Sequence, residues 1–224
     1  MTKRHEIKIA INDADAAALR QRLRLVARYD EHAPEGGYLV RSLYFDTLRD
    51  LALREKLDSV NNREKFRIRC YDRDFSFIQL EKKSKSNGLG EKAKARVTAN
   101  EVKALLDGDL AWMNDPSRPV VVELLSKMRS QGLRPKVVVE YRREPFAYRP
   151  GNVRVTIDSD VRTGVGSLAF LDPAMPLVPV PGEQRGVLEV KWDAFLPDII
   201  RDAVQLNGRR SAAFSKYAAA RMYG

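Results

Sequence analysis

Period-two alternation, mostly with isoleucine, valine and leucine on one side and charge on the other, recurs along this chain and points to a structure built of strands. It appears at roughly 4–11, 38–46, 64–72, 75–85, 91–98, 136–147, 152–159 and 186–193. Helical spacing falls between or after these runs: at 13–27, opened by Asn12 or Asp13 as a cap, at 99–106, at 118–131 ending near Gly132, at 196–206 and at 212–223. Turns such as Asp72-Arg73-Asp74 and Pro150-Gly151-Asn152 are short, and few crossover helices are available. The pattern predicts an α+β fold, a closed antiparallel β-barrel of about eight strands with helices packed outside, built as one domain over 1–224. The Gly- and Pro-rich stretch 163–185 reads as a long ordered loop within that domain.

Residues two apart on a strand share a face, so each run can be divided into its two sides. Arg4, Glu6 and Lys8 oppose Ile7, Ile9 and Ile11; Lys65, Arg67, Arg69 and Tyr71 oppose Phe66, Ile68 and Cys70. Gln79, Glu81 and Lys83 oppose Ile78 and Leu80, and Lys92, Lys94 and Arg96 oppose Ala93, Ala95 and Val97. Tyr141 and Arg143 share a side; Arg154, Thr156 and Asp158 oppose Val153, Val155 and Ile157; Glu189 and Lys191 oppose Leu188, Val190 and Trp192. A sheet with one face on a core and the other in water gives the same alternation. A solvated face mixes signs, however, whereas this one is mostly cationic, with about one acid per strand.

Across the whole chain 40 Lys and Arg stand against 30 Asp and Glu, a formal charge of +10, which favours an anionic partner or substrate: nucleic acid, an anionic membrane or polyphosphate. If the cationic sides of the strands face one another, their repulsion requires an anion between them. Phosphate suits such a lining: Arg offers a planar fork and Lys a compact charge. The acids Glu6, Glu81, Asp158 and Glu189 could then hold a divalent cation against the phosphates, or each serve only as an ion-pair partner of a neighbouring base. Cys70 is the single cysteine, which excludes an internal disulfide and fits a reducing cytoplasm. The polar N-terminus and the lack of a long apolar run point to a cytoplasmic, non-spanning protein. His5, His32, Trp112, Trp192 and Cys70 read as structural residues.

The segments Arg4-His5-Glu6-Ile7-Lys8, Arg41 to Thr47 (RSLYFDT), Lys65 to Arg69 (KFRIR), Leu80-Glu81-Lys82-Lys83, Gly90 to Arg96 (GEKAKAR), Val153 to Asp158 (VRVTID), Leu188-Glu189-Val190-Lys191 and Phe214-Ser215-Lys216-Tyr217 occur in this order. Together they resemble the VTC domain, the polyphosphate polymerase branch of the triphosphate tunnel metalloenzymes. The resemblance implies a tunnel that binds ATP and transfers its γ-phosphate to a growing polyphosphate chain with Mn²⁺ or Mg²⁺. It implies phosphate-handling catalytic roles for Lys8, Arg67, Arg69, Lys83, Lys94, Arg143, Arg154 and Lys216, and Lys191, on the same face as Glu189, is counted with them. Glu189 would be the main metal ligand and Tyr141 would touch the nucleotide; Glu6 and Glu81 join Glu189 as metal candidates from the strand faces alone. Arg142 competes with Arg143 for one role, and face parity with Tyr141 favours Arg143. Lys216 falls in an apparent helix whose Phe214, Tyr217 and Met222 read as core, so its role rests on the resemblance alone. No spanning segment is present, so export of product implies a separate membrane channel partner.

Two other functions fit the same residues. Water in place of the phosphate acceptor gives a tripolyphosphatase or nucleoside triphosphatase, and loss of catalysis gives a polyphosphate-binding module. RNA binding fits less well, because aromatics interleaved with basic residues are few at 8% of the chain. The polymerase reading requires Arg67, Lys83, Lys94 and Arg154 to line one enclosed passage.

Overall fold

A computed structural model describes residues 4–31, 33, 36–58, 60–86, 89–183, 186–206, 208 and 214–223. His32 lies outside the described residues. In chain order the elements are β1 (His5–Ile11), α1 (Asp13–Val26), β2 (Arg28–Tyr29), β3 (Tyr38–Asp46), α2 (Leu51–Leu57), β4 (Arg63–Tyr71), β5 (Asp74–Ser86), β6 (Leu89–Val97), α3 (Ala99–Leu106), α4 (Pro119–Gln131), β7 (Arg134–Tyr148), β8 (Val153–Thr163), β9 (Val178–Pro179), β10 (Gly186–Trp192), α5 (Asp198–Ala203) and α6 (Lys216–Ala220). The α+β class and the antiparallel sheet of eight main strands are those the alternation predicts.

Contacts within the chain group into two units. Unit one comprises Met1–Leu39, Tyr141–Arg162 and Pro179–Ala219; unit two comprises Val40–Glu140, Thr163–Val178 and Ala220–Gly224. In unit one the strands run β1, β10, β8, then the second half of β7; in unit two the first half of β7 is followed by β3, β4, β5 and β6. Pairing is antiparallel between β1 and β10, β10 and β8, β3 and β4, β4 and β5, and β5 and β6.

Each unit has its own core on the apolar side of its strands. In unit one Ala16, Leu19 and Leu23 of α1 and Ile200 and Ala203 of α5 cluster with Val155, Ile157, Leu188 and Val190. The helix starts where its cap directs: Asn12 Oδ1 accepts from the Asp15 amide at 2.8 Å, and the Asp15 carboxylate accepts from the Asn12 amide at 3.1 Å. In unit two Val102, Leu105, Val121, Leu124 and Leu125 of α3 and α4 cover Phe66, Ile68, Cys70, Ile78 and Leu80. α3 opens on the same reciprocal box between Thr98 and Glu101, and α4 ends on Gly132 at φ +67°. In each unit helices thus cover the apolar face of the strands.

Several boundaries differ from the sequence reading. The 196–206 segment is helical only over Asp198–Ala203, and the described helix of the last segment is Lys216–Ala220, followed by a short 3-10 turn. α2 was not expected at all. It spans only two turns, and its start is held from a distance: the Asp46 carboxylate accepts from the amides of Thr47, Ala52 and Leu53 at 2.7, 2.8 and 3.2 Å. The β4–β5 turn places both Asp72 and Arg73 at positive φ, +49° and +57°, the hand a two-residue hairpin requires. Glu140 fixes this unfavourable conformation for Arg73 by a bidentate pair at 2.8 and 3.2 Å. The same carboxylate meets Arg41 at 2.7 Å, a fully buried cation on the apolar side of β3 that also donates to the carbonyls of Phe170 and Asp172. The 163–185 loop is thereby anchored through the main chain.

Candidate functional site

Register turns the polar side of unit two into ordered rows. Lys65, Lys83 and Lys92 lie opposite one another across β4, β5 and β6. The next row is Tyr44, Arg67, Glu81 and Lys94, and the one after it Ser42, Arg69, Gln79 and Arg96. Like charges facing each other across strands cost stability unless something neutralises them. Glu81, 1% exposed, is the acid at the centre. Arg67 grips it at 2.7 and 2.5 Å, Arg69 lies 3.8 Å away, and Lys92 pairs with its other oxygen. Burial alone would raise the Glu81 pKa, but Arg67, Arg69 and Lys92 override it and hold it near 2. Arg67 and Arg69 are buried, while Lys65, Lys83, Lys92, Lys94 and Arg96 are exposed.

Tyr44 belongs to this cluster although its type gave no signal beyond its place on β3. Its ring is 4% exposed, and Arg67 donates to its hydroxyl at 3.3 Å. Burial would raise its pKa, yet Arg67, Lys65 and Arg69 bring it down to about 7. Ser42, fully buried, accepts from Arg69 at 3.3 Å.

Unit one carries a different arrangement. Across β1, β10 and β8 the rows are Glu6–Lys191–Arg154 and Lys8–Glu189–Thr156. Two carboxylates and two ammonium groups therefore alternate around a square: Lys8 is 2.9 Å from Glu6 and 3.4 Å from Glu189, and Lys191 is 3.3 Å from Glu6 and 2.5 Å from Glu189. Burial opposes both charged forms, but Lys8 and Lys191 hold the Glu189 carboxyl well below the usual range, and Glu189 and Glu6 raise Lys8. Thr156 Oγ1 and Arg154 Nε are buried there without a hydrogen-bond partner among the described residues. Arg154 forms an ion pair with Asp30 at 3.6 Å.

Beside the square, Asp158 is fully buried and takes both Arg143 nitrogens at 2.7 Å and Lys216 at 2.6 Å. Lys216 and Arg143 overcome burial and keep Asp158 near pKa 2, while Asp158 and Tyr141 raise Arg143. Gly37 permits this placement of Arg143, because a Cβ there would sit 2.8 Å from the Arg143 carbonyl.

Of the expected residues, Lys8, Lys191, Glu6 and Glu189 come together in one cluster, Arg143 and Lys216 in a second around Asp158, and Arg67, Arg69 and Glu81 in a third. Lys83 and Lys94 stand exposed in their rows and the Arg154 side chain is 41% exposed, more open than the enclosed lining expected of them. Arg143, not Arg142, is the interior arginine; Arg142 is exposed. Asp158 is saturated by two cations. Tyr141 is 2% exposed, with Lys216 at 4.5 Å and Arg143 at 5.5 Å from its ring centre. Tyr217 is buried as expected, but Met222 is 71% exposed and does not join a core. His5 stacks on Trp192 at 5.4 Å, away from the charged side, and Cys70 is buried with its thiol pushed up to about 12.

Among the described residues no group of three or more His, Cys, Asp and Glu is placed to hold a metal. Glu6 and Glu189 nevertheless fit a small divalent ion, because Mg²⁺ commonly takes one or two carboxylates and completes its shell with phosphate oxygens and water. Glu81 is paired with Arg67, Arg69 and Lys92, as Glu189 is with Lys8 and Lys191, so each would have to exchange cations to hold a metal.

The VTC domain model matches residues 3–223, and the chain belongs to that family. Among curated proteins, none matches this sequence. Similar solved structures include the bh2851 protein of Bacillus halodurans, 13% identical over 84% of this chain and 79% of that one, TM-score 0.48. PH1012 of Pyrococcus horikoshii OT3 is 14% identical over 90% and 85%, TM-score 0.45. Likeness at that level adds nothing to the family match. No helix among the described residues is long and apolar enough to cross a membrane.

Proposed function

We propose that this protein is an ATP-dependent polyphosphate polymerase, passing the γ-phosphate of ATP to a polyphosphate chain with Mn²⁺ or Mg²⁺. The observation that carries the reading is the register of unit two, which sets Lys65, Lys83 and Lys92 across from one another beside Arg67 and Lys94. Such rows of like charge match a linear anion with evenly repeated phosphates better than a compact one. Family membership supports the same substrate class.

Catalysis in this reading is alignment and charge neutralisation. Arg67 and Arg69 exchange Glu81 for phosphate oxygens, and the exposed lysines follow the chain beyond them. In unit one Lys8 and Lys191 turn from the carboxylates to phosphate oxygens, which frees Glu6 and Glu189 for the metal. When bound, the ion screens charge on the phosphoryl oxygens. Arg143 and Lys216, already fixed by Asp158, present their remaining N–H groups to phosphate. The protein would act inside the cell beside a channel partner if its product crosses a membrane.

Purified protein incubated with ATP and Mn²⁺ and resolved by gel should yield long phosphate chains. Free phosphate alone would make it a hydrolase of the same fold, and no turnover a binding module.

A further inference from the structure

Tyr141 has little ring to lend to a nucleotide base, being 2% exposed and covered by Lys216 and Arg143. The polar side of unit two offers another aromatic surface, toward the β4–β5 hairpin. Phe77 of β5 is 38% exposed, and the Arg96 guanidinium carbon lies 4.8 Å from its ring centre. Arg96 is pinned there by donating to the Ser76 carbonyl at 3.0 Å. A lone exposed phenylalanine needs no explanation, but this one sits under a fixed guanidinium beside the phosphate-binding rows. Arg96 faces Gln79, Gln79 faces Arg69, and Arg69 lies 6.0 Å from the ring centre of half-buried Tyr71. Two aromatic–guanidinium pairs thus flank one glutamine, and the Arg67–Glu81–Lys94 row follows about 7 Å further along the strands.

We infer that Phe77, Arg96, Gln79 and Tyr71 form the docking platform for the base of the nucleoside triphosphate, whose phosphates continue toward Arg69 and Arg67. The inference rests on the phosphate-binding reading of that face and adds the nucleoside end. Bases stack on aromatic rings and on guanidinium planes alike. The Gln79 amide carries both a donor and an acceptor for a base edge. Stacking accepts any base, so the platform separates nucleoside triphosphates from bare triphosphate more sharply than it separates ATP from GTP.

Calorimetric titration of the wild type and Phe77→Ala with ATP and with tripolyphosphate, both with Mg²⁺ at one ionic strength, tests this. The substitution should weaken ATP binding roughly tenfold and leave tripolyphosphate binding within about twofold, with Phe77→Trp restoring ATP affinity. An unchanged thermal midpoint checks that the fold is intact. Unchanged ATP affinity in Phe77→Ala, or equal loss for both ligands, overturns the platform. Arg67→Ala should weaken both ligands together; if it weakens neither, the phosphate reading itself falls, whatever Phe77→Ala shows.

Discussion

The polar face of unit one is close to self-neutral, whereas that of unit two is not. Lys8, Lys191, Arg143 and Lys216 meet Glu6, Glu189 and Asp158. In unit two Glu81 meets Arg67, Arg69 and Lys92, while Lys65, Lys83, Lys94 and Arg96 add charge in the same rows. Cations paired within the fold are oriented in advance but must exchange partners to bind substrate. Rows in which cations predominate gain from an anion laid along them. The first arrangement suits metal and transfer chemistry, and the second suits holding a chain.

The sharpest way to break this contrast is to remove one central group from each face. Glu189→Gln should lower Mn²⁺-dependent turnover by roughly two orders of magnitude while polyphosphate still binds. Arg67→Ala should weaken polyphosphate binding by roughly 10–100-fold, the worth of charge-assisted hydrogen bonds. Turnover assays paired with filter binding separate the two losses; equal losses of binding in both variants would erase the distinction.

Next in size is the cost of removing an acid. Glu81→Gln leaves Arg67 and Arg69 buried without their counter-charge, so the free protein should lose on the order of 3 kcal/mol. Added tripolyphosphate should recover much of that, because it binds only the folded state. Glu6→Gln, at a side chain 39% exposed, should change stability by less than about 0.5 kcal/mol. Urea melts with and without tripolyphosphate measure both.

Acid should weaken both units. Glu81 and Asp158 each titrate lower in the folded chain, near 2, than at their ordinary values of 4.5 and 3.8. Their protons therefore favour the unfolded state. The stability they contribute is complete above about pH 4.5 and is lost as pH falls toward about 2. Asp158→Asn should flatten part of that slope in urea melts taken across this range; an unchanged slope would mean Asp158 does not carry it.

The fold was legible because alternation is local: β3 falls at Tyr38–Asp46, the range its pattern indicates, and α3 at Ala99–Leu106. Face parity also sorted Arg67, Arg69, Glu81, Glu189 and Lys191 correctly. What parity could not show was partnership. Arg41 lies on the apolar side with Leu43 and Phe45, and only the arrival of Glu140 from β7 explains a buried cation there. α2 escaped because its capping acid, Asp46, closes the preceding strand instead of standing directly before the helix. Tyr44 could be placed by parity, but three cations surround it only once β3 and β4 pair.

That tyrosine gives the smallest effect and the finest probe of unit two. With a pKa near 7, its phenol begins to ionise at neutral pH among Arg67, Lys65 and Arg69. Ionisation places a negative charge where the proposed phosphate chain would lie, with Glu81 already beside it, so polyphosphate affinity should fall several-fold as pH rises from about 6 to 8. A bound anion in turn favours the protonated phenol, since the two negative charges repel. Tyr44→Phe keeps the ring against Arg67 and removes the proton, so its affinity should be nearly flat across that range and exceed wild type at the alkaline end. Lys8→Ala leaves Tyr44 and its three cations in place, so its pH dependence should match wild type. A pH slope that survives Tyr44→Phe would place the titration elsewhere and leave the cationic surplus of unit two uncompensated by its tyrosine.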